Sequence, residues 1–172
     1  MNYATRKYPQ FAVCGLNCGL CPRHYTVGNS RCPGCAGEGF LDVHPTCGIL
    51  SCCQRKGLEY CFQCDEFPCK KYDKLDKSDS FITYKNRFHD MEKAKLDIET
   101  YKAELNEKIE ILQELLENYD DGRRKSFFCT AVNLLELEDV KSVMERVSDT
   151  KSAVAAFNEM VELRGISLKL RK

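Results

Sequence analysis

The chain has 172 residues, 43% of them hydrophobic, with twelve cysteines, no tryptophan, and 26 basic side chains balanced by 26 acidic ones. That length makes one ordinary domain or two small ones, and no apolar run approaches the roughly 20 residues a helix needs to cross a bilayer. The charge balance holds locally, with six Lys/Arg against five Asp/Glu in residues 1–69, and it argues against nucleic-acid binding, which draws its affinity from clustered cations that neutralise phosphates.

The opening stretch, MNYATRKYPQFAVCG, contains no apolar signal core and no small-residue cleavage site, so the chain is expected in the cytoplasm with reduced cysteines rather than in a disulfide framework. Eleven of the twelve cysteines then follow between Cys14 and Cys69: Cys14-x3-Cys18-x2-Cys21, Cys32-x2-Cys35, Cys47, Cys52, Cys53 and Cys61-x2-Cys64-x4-Cys69. Two thiolates separated by a tight turn can converge on one ion, and two such turns complete a tetrahedral zinc shell with bonds of about 2.3 Å. Three turns of that spacing in one window indicate metal binding far more strongly than one would.

The composition changes at Cys69. Before it, Gly, Pro and Cys dominate, the chemistry of loops held by metal in place of an apolar core. After it, Ile98, Tyr101, Leu105, Ile109, Leu112, Leu116 and Tyr119 recur at spacings of three or four, one stripe of a long amphipathic helix from about Asp90 to Tyr119. Asp120-Asp121-Gly122 ends it. The segment 126–147 reads as one or two helices with a break at Leu137-Glu138-Asp139, and Lys151–Leu163 as another helix that Gly165 stops. Ile166, Leu168 and Leu170 alternate with polar residues, which predicts a short C-terminal strand pairing with Phe11-Ala12-Val13. The expected fold is α+β, mostly α: a cysteine-rich, metal-stabilised module over residues 1–72 and a helical module over 73–172.

Several of these motifs resemble a known family. Cys14-Gly15-Leu16-x-Cys18-x2-Cys21-Pro22, Cys32-x-Gly34-Cys35, Cys47 with Cys52, and Lys56-Gly57-Leu58-Glu59-x-Cys61-x2-Cys64-x-Glu66-Phe67-Pro68-Cys69 are similar to a prokaryotic family of cysteine-rich proteins, domain of unknown function 3795. Tyr119-x-Asp121-Gly122-Arg123, the residues up to Ala131, and the terminus from Gly165 to Lys172 resemble its longer members. The resemblance implies zinc binding and no assigned activity.

Two four-thiolate zinc sites need eight ligands, and ten candidates fit: Cys14, Cys18, Cys21, Cys32, Cys35, Cys47, Cys52, Cys61, Cys64 and Cys69. One arrangement places Cys32, Cys35, Cys47 and Cys52 on a first ion, and Cys61, Cys64 and Cys69 on a second with a thiolate from Cys14, Cys18 or Cys21. Three sites drawing in His24 or His44, or a bridged three-zinc, nine-thiolate cluster, also match the count. Cys53 and Cys129 read as buried small hydrophobes, which free cysteine resembles. Thiolates alone do not distinguish zinc from iron, and Cys14-x3-Cys18-x2-Cys21 has the spacing that holds a [4Fe–4S] cluster in radical-type enzymes. Those enzymes need a long barrel of alternating strands and helices.

All-thiolate zinc sites are closed and structural, whereas catalytic ones keep an open position. No catalytic residues stand out: the chain offers no glycine-rich phosphate loop and no Gly-x-Ser-x-Gly. The expected function is non-catalytic binding of a protein or small ligand, with an iron–sulfur redox protein as the competing class. Since each four-thiolate zinc adds local negative charge, titration with duplex and single-stranded oligonucleotides at two salt concentrations should show no salt-sensitive affinity. Micromolar binding that weakens steeply with salt would contradict this.

Overall fold

The structure, a computed structural model, describes residues 3–73 and 77–172; Met1 and Asn2 of the opening stretch lie outside them. Residues group into two compact units, Met1–Lys102 with Leu170–Lys172, and Ala103–Lys169. Among the described residues there are seven α-helices, none long and apolar enough to cross a membrane.

In the first unit the segment Pro9–Val13 carries Phe11, which is fully buried between the rings of Tyr60 and Tyr101, 5.4 and 4.8 Å away. The chain then doubles back. Ala12 N–H donates to Leu16 at 2.8 Å and Gly19 N–H to Gln10 at 2.9 Å, and Phe11 and Asn17 form an isolated antiparallel bridge. The loop between them turns at Gly15, where φ is +83° and a Cβ would fall 2.5 Å from the Met91 side chain and 2.8 Å from the Arg87 carbonyl. Only glycine fits there. Short helical pieces follow: 3₁₀ turns Cys18–Leu20 and Pro22–Tyr25, α1 (Phe40–Val43), α2 (Gly48–Arg55) and a 3₁₀ turn Cys61–Gln63.

The expected long helix from Asp90 to Tyr119 is two helices, α3 (Arg87–Leu96) and α4 (Ile98–Asn118). Asp97 separates them. Its backbone is extended (φ −153°, ψ 100°) and its carboxylate accepts the amides of Glu99 and Thr100, both at 3.1 Å, and the Thr100 hydroxyl at 2.7 Å. An Asp side chain that satisfies the first amides of a new helix competes with continuing the old one. α3 packs on the Cys61–Gln63 turn. A buried polar chain links the first turn of α4 to the cysteine loop: Tyr101 Oη donates to Asn17 Oδ1 at 2.8 Å, and Asn17 Nδ2 donates to Asp90 Oδ2 on α3 at 3.0 Å.

The second unit holds the remainder of α4 with α5 (Lys125–Leu134), α6 (Leu137–Met144) and α7 (Thr150–Leu163). Leu105, Leu112 and Leu115 of α4 face its core, Leu115 replacing the Leu116 expected from the stripe. Phe127, Phe128 and Phe157 meet edge to face with centroids 5.4–6.4 Å apart. α4 ends at Asn118, ahead of the expected Asp120-Asp121-Gly122 stop; in the connection that follows, Asp120 Oδ1 accepts the amides of Gly122 (φ +84°) and Arg124. Asp149 and Ser152 form a reciprocal capping box at the start of α7, each side chain bonding the other's amide. Cys129, on α5, is 1% exposed.

The C-terminal strand does not form. Among the described residues there is no strand, so the fold is mostly α. The expected alternation is present, with Ile166, Leu168 and Leu170 half-buried and Ser167 and Lys169 exposed. What is missing is an edge to pair with, since Ala12 is bonded to Leu16 and Gly15, the Phe11 carbonyl to Arg6, and the Val13 carbonyl to Cys61. The terminus is fixed instead by Arg171, whose amide and Nη2 both reach the buried Asp79 carboxylate at 2.8 Å while its carbonyl accepts the Asp79 amide at 3.0 Å.

Burial pushes the Asp79 carboxyl up, but the bonds from Arg171 and the Tyr84 amide outweigh it and hold it at about 2, below the ordinary 3.8. A carboxyl depressed in the folded state adds stability that is present above its unfolded value and is lost as pH falls through the folded one. Asp79→Asn should therefore cost about 2 kcal/mol in denaturant unfolding at pH 7. The deficit should shrink between about pH 4 and 2. Equal stability of the two proteins at neutral pH would contradict the assignment.

Candidate metal centre

Three cysteine turns are hung on the Pro9–Val13 segment. Cys35 N–H donates to Pro9 O and Cys61 N–H to Val13 O, both at 2.8 Å, and Cys14 follows Val13 directly. The Cys32–Cys35 turn passes so close that a Cβ on Gly34, at φ +92°, would sit 2.5 Å from the Pro9 carbonyl oxygen. Cys18 and Cys61 each begin a 3₁₀ turn, and Cys21 and Cys64 each cap one in extended geometry (φ −79°, ψ 135° and φ −88°, ψ 135°). The two Cys-x2-Cys segments thus have one local conformation, closed by Cys21 N–H to Cys18 O and Cys64 N–H to Cys61 O. Cys47 precedes α2, and Cys52 and Cys53 lie on it.

The thiols fall into two groups. Cys14, Cys18, Cys21, Cys32, Cys35 and Cys47 form the first, close enough that charge on one is felt by others: Cys14 by Cys35 and Cys47, Cys18 by Cys35, Cys14, Cys21 and Cys32, and Cys21 by Cys32. Cys52, Cys53, Cys61, Cys64 and Cys69 line a cavity of about 40 Å³ and form the second, with Cys53 also feeling charge on Cys14 and Cys35 of the first. No cysteine, all twelve being described, is in a disulfide. Among the described residues, no three His, Cys, Asp or Glu side chains are arranged to hold an ion as they stand.

Burial dominates the acidity of the first group. It pushes Cys14 up to about 12, Cys21 up to about 11 and Cys18 well above the ordinary thiol range, and neighbouring thiols raise each of them further. Burial also raises Cys35, against the pull of Arg6 and a backbone bond from Val13. Cys14, Cys18, Cys21 and Cys35 therefore stay protonated at neutral pH. A divalent cation inverts that logic, since its charge is the largest in the site and deprotonates the sulfurs it binds. In the second group the bond between Cys53 and Cys61 lowers the Cys53 thiol and raises the Cys61 thiol.

Cations stand beside both groups. Arg87, 1% exposed, lies under the rings of Tyr84, Tyr72 and Phe88 at 4.4, 5.5 and 6.0 Å and draws the Cys14 thiol down. Arg6 stacks on Tyr60 at 5.0 Å, donates to the Phe11 carbonyl at 2.6 Å and bonds the Cys35 sulfur. Lys56 Nζ is 3.2 Å from Cys64 Sγ. Sequence reasoning assigned these three no role. Lys56 was visible in the motif Lys56-Gly57-Leu58-Glu59, but nothing local marks Arg6 or Arg87. His24, a candidate ligand, instead places Nδ1 2.9 Å from the Cys32 carbonyl, and His44 is exposed and stacked on Phe40 at 4.5 Å.

With this geometry in view, the comparison with known families is direct. Residues 10–74 match the family model DUF3795, described as a protein of unknown function. The DUF3795 span contains all eleven clustered cysteines and the Pro9–Val13 segment from its second residue onward. The stretches at 119–131 and 165–172 lie outside it. No curated protein and no solved structure matches the chain.

Proposed function

We propose that the chain is a structural zinc protein, in which two all-thiolate ions hold the DUF3795 segment in shape as a non-catalytic binding module. The observation that carries this reading is the pairing of buried thiols with built-in cations. Arg87 and Arg6 stand beside Cys14 and Cys35, and Lys56 beside Cys64. A buried guanidinium is costly to desolvate and is retained where an opposite charge faces it. Thiolates on a metal would place such a charge at Cys14 and Cys35. A zinc ion with four thiolates carries a net charge of −2, so the adjacent cations also offset the charge that metal binding creates. Such hydrogen bonds and charges around ligand sulfurs orient and stabilise a thiolate site.

The donor set fits zinc. All the donors brought together are thiols, the soft ligands of closed tetrahedral sites. No alternating strands and helices accompany Cys14, Cys18 and Cys21 among the described residues, so their spacing lacks the barrel that radical-type enzymes use. The metal's role here is mechanical. Residues 14–73 have only two α-helices, of four and eight residues, and a structural zinc can contribute on the order of 10 kcal/mol to folding.

Metal removal tests this. Protons compete for thiolates, and burial keeps these thiol pKa values high, so a chelator at pH 6 should strip the ions faster than at pH 8. Seven of the eight tyrosines lie in the first unit and there is no tryptophan, which makes near-ultraviolet circular dichroism a reporter of that unit. The signal should collapse on chelation, while far-ultraviolet helicity falls only partly. An unchanged near-ultraviolet spectrum after the metal is demonstrably gone would contradict the reading.

A further inference from the structure

We propose that Cys53 is itself a zinc ligand, completing a site with Cys61, Cys64 and Cys69 in the cavity beside α2; this rests on the structural-zinc reading above. A buried cysteine that serves only as a small hydrophobe packs its sulfur on carbon. Cys53 Sγ instead lies 3.2 Å from Cys61 Sγ, and Cys53 is 3% exposed. The cavity they border is also lined by Cys64 and Cys69. At about 40 Å³ it is a small pocket. That suits an ion and is far too small for an organic ligand.

The Cys53–Cys61 pair needs only a small adjustment. A tetrahedral zinc with bonds of about 2.3 Å spaces its sulfurs about 3.8 Å apart, so the Cys53–Cys61 contact would open by a few tenths of an ångström as side chains rotate. Binding forms four Zn–S bonds and releases four thiol protons, with no change in oxidation state. Lys56 is already bonded to Cys64, so it would stabilise that sulfur as it becomes a thiolate. Cys52 precedes Cys53 on α2 and lines the same cavity, but it has no such sulfur contact, which makes it the control.

Elemental analysis and native mass spectrometry of the full chain decide it. Cys53→Ala should halve the metal content, from two ions to one, while Cys52→Ala retains both. Cys53→His supplies a nitrogen ligand at the same place: it should keep both ions, and after cobalt(II) exchange its visible spectrum should shift relative to wild type. Full metal content in Cys53→Ala, or a wild-type cobalt spectrum in Cys53→His, would overturn the proposal. A wild-type protein without zinc would instead sink the structural-zinc reading on which it stands.

Discussion

Everything in the cysteine-rich unit depends on the backbone of five residues, Pro9 to Val13. Its carbonyls receive the Cys35 amide, the Gly19 amide, the Arg6 guanidinium, the Gly15 amide and the Cys61 amide in order along the segment. A strand in a sheet would present such groups to one neighbour. Here they are distributed among three separate turns, each bearing cysteines, and the one large side chain of the segment, Phe11, is sealed between Tyr60 and Tyr101. The close approaches at Gly15 and Gly34 follow from the same arrangement, because the turns must come within hydrogen-bond distance of the segment they decorate.

Bringing eleven thiols together in this way creates an electrostatic problem that the rest of the unit addresses. Burial and mutual repulsion oppose ionisation of the sulfurs, while Arg6, Arg87 and Lys56 favour it. The arginines are held by aromatic faces, Tyr60 for one and Tyr72, Tyr84 and Phe88 for the other, which keeps the guanidinium groups close to the sulfurs and away from water. The buried chain from Tyr101 through Asn17 to Asp90 positions the residue before Cys18. Aromatic and polar neighbours therefore act on the thiols through placement.

What the sequence showed plainly was local. The cysteine spacing, the start of α7 and the burial of Cys129 follow from patterns a few residues long. The break at Asp97 was masked by a hydrophobic period that runs through it, although an Asp three residues before Thr100 is a capping signal. The C-terminal alternation was real but did not make a strand, because the backbone groups it was expected to meet were bonded to residues from Arg6 to Cys61. Which thiols stand together, and that Arg6 and Arg87 face them, depends on contacts spanning tens of residues. No spacing rule contains that information.

The central claim is that the thiol groups are metal sites, and the most direct measurement is the metal content of the full chain purified without air and without added metal. The account predicts about two zinc ions per chain in a colourless protein. A chain that carries no metal yet keeps its folded near-ultraviolet spectrum, or a brown protein containing iron, would contradict it.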